Sequence, residues 1–358
     1  MSDDLRVGIV GYGLAGLVFH APLISATPGI RLSAIVSRDA QRVQHALETY
    51  PGVQVFGSAQ DLFESTSIDV AVITTPNTTH APIARDAISR GIAVVVDKPL
   101  AISVNEAVDL IEFAKRSGVL LTVFQNRRWD GDFLTVAALV ADGTLGRVAR
   151  FESRFERWRP NLKGGWRESS KPAQGGGLLF DLGPHIIDQA LQLFGPVESV
   201  YAEVDTTRAR ATSDDDVFVA LTHVSGVRSH LFASAIAADL GPRFRVLGTQ
   251  GAYVTHGLDV QEASLRAGDM PDPDRKDDWG EVPRSDWGVL TDINGVTSAV
   301  PTMAGRYLDF YAQLVAAINQ TGPIPVDPSQ PLEALRIIEA ALESSAHQTV
   351  VKMTPNPS

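Results

Sequence analysis

Cysteine is absent from the chain, which excludes disulfides, thiolate metal sites and a cysteine nucleophile together. Long apolar runs are missing too. Nothing approaches the about 20 residues that a membrane span needs, and the Met-Ser-Asp-Asp start has neither the cationic nor the apolar region of a signal peptide. Positive charge is in deficit. With a net charge of −11 and arginines scattered along the chain, no nucleic-acid footprint is expected. Only 20% of the residues are charged against 44% apolar, so disorder is excluded and well-filled cores are expected. No internal repeat breaks the chain into modules. What remains is a cytoplasmic protein whose 358 residues suffice for two domains.

The stretch Arg6–Phe19 organises the first of these. Val7, Ile9 and Val10 read as a buried strand, Gly11, Gly13 and Gly16 follow at GxGxxG spacing with Tyr12 inside the turn, and a helix-compatible run resumes at Leu14. Each glycine has its own reason: the turn off the strand, the close approach of backbone to a pyrophosphate, and the packing of helix on sheet. The anion then sits at the positive end of a helix. Position at the head of a βαβ-like pattern is the context that turns a common glycine turn into a dinucleotide site.

Ile30–Val36 reads as the second strand and ends in Ser37-Arg38-Asp39, where a dinucleotide fold meets the adenosine ribose. A hydroxyl and a cation suit the 2′-phosphate of NADP, while Asp39 keeps NAD open. Val70–Ile73 is a further strand, followed by Thr75-Pro76-Asn77 and His80. These lie at a strand's carboxyl end, where His80 is either a residue of the following helix's first turn or a wall of the cofactor cleft, the place a doubly wound fold gives its ligands. Ile92–Val96 ends in Asp97-Lys98-Pro99, which places Lys98 at the mouth of the sheet near the nicotinamide. Alternation of such strands with the helices to Arg90 and Ser117 gives a doubly wound parallel sheet. After strand Val119–Phe124, Asn126-Arg127-Arg128 either lines a polyol pocket or makes an interdomain salt bridge. The first domain is set at residues 1–126 and the second at 127–358.

The second domain changes period. Ala149, Phe151 and Phe155 alternate with Arg150, Glu152, Arg154 and Glu156, an antiparallel strand with one wet face. Further strands are expected over Val197–Val204, Asp216–His223, Arg228–Ala235, Phe244–Leu247 and Ala252–Thr255. The α/β class therefore combines a parallel sheet with a mostly antiparallel open one. Pro160–Gly177, with Trp166, and Gly268–Gly288 are loops, either lids or variable surface.

Asp181-Leu-Gly-Pro-His185-Ile-Ile-Asp188 carries the chemistry. Pro184 suits a helix's first turn, and His185 and Asp188 then share a face. Asp181 caps that helix or orients His185. A metal centre is disfavoured because no partnered histidine cluster exists. The better reading is proton transfer by a His made more basic by a carboxylate.

Taken together, the glycine turn, Thr75-Pro76-Asn77 with His80, Asp97-Lys98-Pro99 and Gly175-Gly176-Gly177 leading to Asp181, Gly183, His185 and Asp188 resemble the Gfo/Idh/MocA oxidoreductases over nearly the whole length. Phe19-His20-Ala21-Pro22 and Asn126-Arg127-Arg128-Trp129-Asp130 are most similar to the NADP-dependent scyllo-inositol dehydrogenase branch. The resemblance implies a Rossmann domain, then an α/β domain whose open sheet makes a homodimer or higher homo-oligomer. It implies Lys98 beside the reacting hydroxyl and nicotinamide, His185 as general base and Asp181 as its orienting acid. Asn126, Arg127, Arg128, Trp166 and Asp188 are the substrate-side candidates. Asp97 is one methylene shorter than the family's glutamate. The expected reaction is hydride exchange between NADP(H) and a ring secondary alcohol of an inositol-like polyol. The alternatives are another sugar or anhydro sugar as substrate, or a non-catalytic NADP sensor on the same fold.

Overall fold

A computed structural model of the chain describes residues 4–65, 68–162, 164–272, 274 and 279–354, without the side chains of residues 166, 167 and 173. Two compact units are present. The first takes residues 1–129, 260–280 and 305–332; the second takes 130–259, 281–304 and 333–358. Segments 260–280 and 305–332, which lie within the range the sequence assigns to the second domain, thus pack in the first unit.

In the first unit, β1 (Leu5–Val10), β2 (Ile30–Val36), β3 (Gln54–Phe56), β4 (Val70–Ile73), β5 (Ala93–Asp97) and β6 (Leu121–Phe124) form one parallel sheet in the order 3-2-1-4-5-6. Val70–Ile73 and Val94–Val96 are wholly buried, as continuous apolar strands covered on both faces must be. The order reverses beside β1, so the carboxyl ends of β1 and β4 flank the switch point where doubly wound sheets take ligands.

Helix starts and stops follow local chemistry. Ser103 caps Val104–Ser117 by accepting the Glu106 amide at 3.2 Å, and Gly118 ends it with φ +65°; a glycine takes that left-handed turn without strain. The run after the glycines departs from an ordinary helix. Ala15–His20 is a π-turn, closed by the Ala21 amide on the Gly16 carbonyl, before Ala21–Ala26 continues as α-helix. Pro22 has no N–H to offer the preceding turn, and the wider turn relieves it.

The second unit holds a nine-stranded sheet. Its strands are β7 (Val148–Glu156), β8 (Val197–Asp205), β9 (Asp216–His223), β10 (Arg228–Ser234), β11 (Phe244–Gly248), β12 (Gly251–Thr255), β13 (Gly288–Asp292), β14 (Thr297–Val300) and β15 (Val351–Lys352). The order is 14-13-12-11-7-10-9-8-15. Every pairing is antiparallel except β7 with β10. One face packs Phe151 against Phe194 and Phe244, with centroids 5.4 and 5.7 Å away. The opposite face of β7 is drier than its alternation implies. Glu152 is buried between Arg154 at 3.0 Å and Arg245 at 2.7 Å, and Arg154 lies over the Phe232 ring at 4.3 Å. Charge pairing replaces water there.

Candidate active site

The glycine turn is built as its spacing demands. Gly11 has φ +99°, a left-handed value that a side chain would strain, and its carbonyl accepts the Thr74 hydroxyl. A Cβ on Gly16 would lie 2.4 Å from the Gly11 carbonyl oxygen. A Cβ on Gly13 would find only Arg42 Nη1, at 3.9 Å. Gly11 and Gly16 therefore serve the protein's own packing, whereas the space over Gly13 is open. That is the cradle a pyrophosphate requires, so the residues present fit a dinucleotide. Tyr12 is buried and meets His45 Nδ1 at 3.1 Å; burial drives its phenol pKa well up.

At the end of β2, Asp39 caps the helix Ala40–Thr49, its carboxylate accepting the Arg42 amide at 3.0 Å. Arg38 and Arg42 beside that cap are exposed and Ser37 is half-buried, its hydroxyl accepting the Asp39 amide at 3.3 Å. Arg42, whose Nη1 lies 3.9 Å from where a Cβ on Gly13 would stand, is not reached by the twenty-position rule, since it enters only through the helix that Asp39 starts.

The turns after β4 and β5 are tied together by His80, which is 1% exposed. Its Nδ1 lies 2.8 Å from the Pro99 carbonyl oxygen and its Nε2 2.8 Å from the Thr75 carbonyl oxygen. Burial lowers its pKa, against the pull of those carbonyls and of Asp97. Thr79 adds hydroxyl contacts to Thr75 and to the Pro76 carbonyl, and Asn77 is buried. Beneath Lys98, Asp97 lies 3.7 Å from His20 Nε2, and the other nitrogen of His20 meets the Tyr311 hydroxyl at 2.5 Å. Burial presses the Asp97 carboxyl upward, but His20, Lys98 and His80 hold it below its ordinary value.

The substrate-side candidates of this unit are firmly held. Arg127 is buried and pairs with Glu262, and its Nη1 donates to the Tyr307 hydroxyl at 2.9 Å. Glu262 and Tyr307 both belong to the first unit. Arg128 donates to Gln330 at 2.6 Å, and Asn126 is buried in the turn Asn126–Trp129.

In the second unit, Gly175–Gly177 lead into a short helix Leu178–Asp181 and then the helix Gly183–Phe194, with Pro184 in its first turn and Gly195 after its end. His185 and Asp188 are buried on this helix, and Asp181 is half-buried just ahead of it. The helix is fastened to the sheet by Gln189, which accepts from buried Arg243 at 2.9 Å; Arg243 also donates to Ser153 on β7 at 2.7 Å. Trp166 starts the helix Trp166–Ser169, and its side chain lies outside the described residues. Among the described residues, no group of three or more His, Asp or Glu could hold a metal ion, and no helix is long and apolar enough to cross a membrane. Lys98 stands in the first unit; Asp181, His185 and Asp188 stand in the second.

Comparison with known proteins matches residues 5–125 to a family model described as oxidoreductase family, NAD-binding Rossmann fold. Residues 133–254 match the GFO/IDH/MocA C-terminal domain. The oxidoreductase YdgJ of Escherichia coli (strain K12) is 41% identical, covering 98% of this chain and 99% of that protein. The scyllo-inositol 2-dehydrogenase (NADP(+)) IolW of Bacillus subtilis (strain 168) is 34% identical, covering 98% and 96%. The solved structure of yvaA from Bacillus subtilis superposes with a TM-score of 0.92 at 33% identity, covering 99% of each chain.

Proposed function

The chain belongs to the Gfo/Idh/MocA oxidoreductase family, and from that premise we propose that it is an NADP(H)-linked dehydrogenase of a cyclic polyol or sugar, inositol-like in kind. The observation that carries this reading is the helical run Leu178–Phe194, which buries His185 and Asp188 with Asp181 one turn ahead. An imidazole between two carboxylates on a rigid helix is equipped to take a proton from a hydroxyl.

A bound nicotinamide would supply hydride acceptance and donation, and the chain's own residues would do the rest. Gly11, Gly13, Gly16, Thr75, Pro76 and Asn77 hold the cofactor, with His80 fixing the turns they occupy. In the first unit, Lys98 is the cation suited to stabilise developing negative charge; in the second, His185 would accept the hydroxyl proton, with Asp181 orienting the imidazole. Such a base contributes about 10²–10⁴-fold, so positioning by the buried helix must supply much of the remainder. Asn126, Arg127, Arg128, Trp166 and Asp188 shape the substrate side.

Preference for NADP is supported by the use of Asp39 as a helix cap. With that carboxylate facing a backbone amide, Ser37, Arg38 and Arg42 define the ribose end, a cationic setting suited to a 2′-phosphate. The inositol class is supported by the similarity to IolW across 98% of the chain. The open nine-stranded sheet is the surface for homo-oligomer formation.

The test is a screen of cyclic polyols and sugars with NAD and with NADP, followed at the absorbance of the reduced cofactor. Scyllo-inositol with NADP is expected among the active pairs. His185→Ala should cut turnover while the cofactor still binds, and Lys98→Ala should be at least as damaging. Wild-type rates in both variants would end the proposal.

A further inference from the structure

The segment Ser213-Asp214-Asp215, just ahead of β9, lies outside every motif discussed so far, yet it reaches the helical run that carries Asp181 and His185. Asp214 is 5% exposed. Its Oδ2 accepts the Leu179 amide at 2.7 Å, and its backbone carbonyl accepts the Leu178 amide at 3.0 Å. Its Oδ1 is buried without a hydrogen-bond partner and sits against Gly177. Gly177 has φ +91°, and a Cβ there would lie 1.8 Å from Asp214 Oδ1. The glycine turn and the carboxylate therefore fit only as a pair.

From that anchor the chain runs without slack. The Asp181 amide donates to the Gly177 carbonyl at 3.1 Å, Leu182 to Leu178 at 2.7 Å, and His185 to Leu182 at 3.1 Å. A helical segment so connected has one rotational phase, set where its first amides are held. The neighbouring acid faces elsewhere: Asp215 accepts the Thr207 and Arg208 amides at 2.8 and 3.1 Å and pairs with Arg208 Nε at 2.9 Å. Arg208 in turn holds Glu168 at 3.0 Å. Among the described residues no cation pairs with Asp214, and burial, with a smaller push from Asp215, raises its carboxyl to about 6.

We propose that Asp214 is a positioning residue for Asp181 and His185: seated against Gly177, it sets the direction in which the run Leu178–Phe194 presents them. This rests on the reading of Asp181 and His185 as the proton-transfer pair.

The experiment uses the full chain with scyllo-inositol and NADP, comparing Asp214→Leu, Asp214→Asn and His185→Ala with the unaltered protein. Asp214→Leu should lower kcat at least about tenfold with NADP affinity within about twofold. Asp214→Asn, which keeps an acceptor for the Leu179 amide, should stay within about threefold of the original kcat. A 15N-leucine-labelled sample supplies a readout that needs no activity and does not depend on Asp214→Leu folding. Its Leu179 amide shift should titrate with a midpoint near 6 and be flat in Asp214→Asn. Unchanged kcat in Asp214→Leu, equal loss in Asp214→Leu and Asp214→Asn, or a Leu179 amide that does not titrate overturns the proposal. Unchanged turnover in His185→Ala instead overturns the proton-transfer reading, and the Leu179 titration still decides whether Asp214 holds the turn.

Discussion

His80 Nδ1 lies 2.8 Å from the carbonyl oxygen of Pro99, so the first residue of one helix fixes the turn that follows the neighbouring strand. With the second nitrogen on the Thr75 carbonyl, one buried ring sets the spacing of two turns proposed to touch the cofactor. His80→Leu is expected to raise the KM for NADP about tenfold or more, since displacements near 1 Å at such turns are costly. It should also destabilise the chain by about 1–3 kcal/mol, because a buried carbonyl loses the single N–H that the neutral ring donates. Steady-state kinetics and thermal melting check this; an unchanged KM would remove His80 from the cofactor side.

Gly13 and Gly16 should fail in different ways. Gly13→Ala adds a methyl that meets nothing closer than Arg42 at 3.9 Å, so the melting temperature without cofactor should hold while dinucleotide affinity falls at least about tenfold. Gly16→Ala drives its methyl to 2.4 Å from the Gly11 carbonyl and should cost about 1–3 kcal/mol of stability even without cofactor. Melting curves with and without NADP separate the two. Identical behaviour of both variants would mean that the space over Gly13 is not where the pyrophosphate lies.

Much of this was legible because buried parallel strands read as continuous apolar runs: β1, β4 and β5 each announce themselves in four or five residues. β3, β14 and β15 do not, being two to four residues long and placed at or beside sheet edges, where neither face imposes a pattern. The π-turn Ala15–His20 depends on a proline one turn later, which a search for helical period passes over. Arg127 shows the wider limit. Whether it lines a pocket or pairs with an acid depends on Glu262, 135 positions away, and no local spacing carries that. Arg42 is hidden differently: in the sequence Asp39 keeps NAD open, and only its cap to the Arg42 amide brings that residue into view.

That cap leads to a prediction on cofactor choice. Replacing both Arg38 and Arg42 with alanine should raise the KM for NADP by at least about tenfold, given about 1.5–3 kcal/mol for a charge-assisted hydrogen bond. The KM for NAD should change little, because NAD offers no 2′-phosphate to lose. Kinetics with both cofactors check it. Equal loss with the two would show that these arginines act on the shared pyrophosphate or on folding.

The Arg127–Glu262 pair gives the chain a defined acid limit. Burial alone would raise the Glu262 carboxyl, but Arg127 and Arg266 hold it at about 2, against an ordinary 4.5. A pKa depressed in the folded state contributes stability that is fully present above 4.5 and is lost as pH falls through the folded value. At about 1.4 kcal/mol per unit the contribution is about 3 kcal/mol. Glu262→Ala should therefore cost about 3–5 kcal/mol at neutral pH, since Arg127 remains buried without its carboxylate. Glu262→Gln should flatten stability against pH between about 5 and 2, with little effect on its course above pH 6. Denaturant melts across that range decide the matter. An unaltered pH profile in Glu262→Gln would show that other carboxylates set the acid limit.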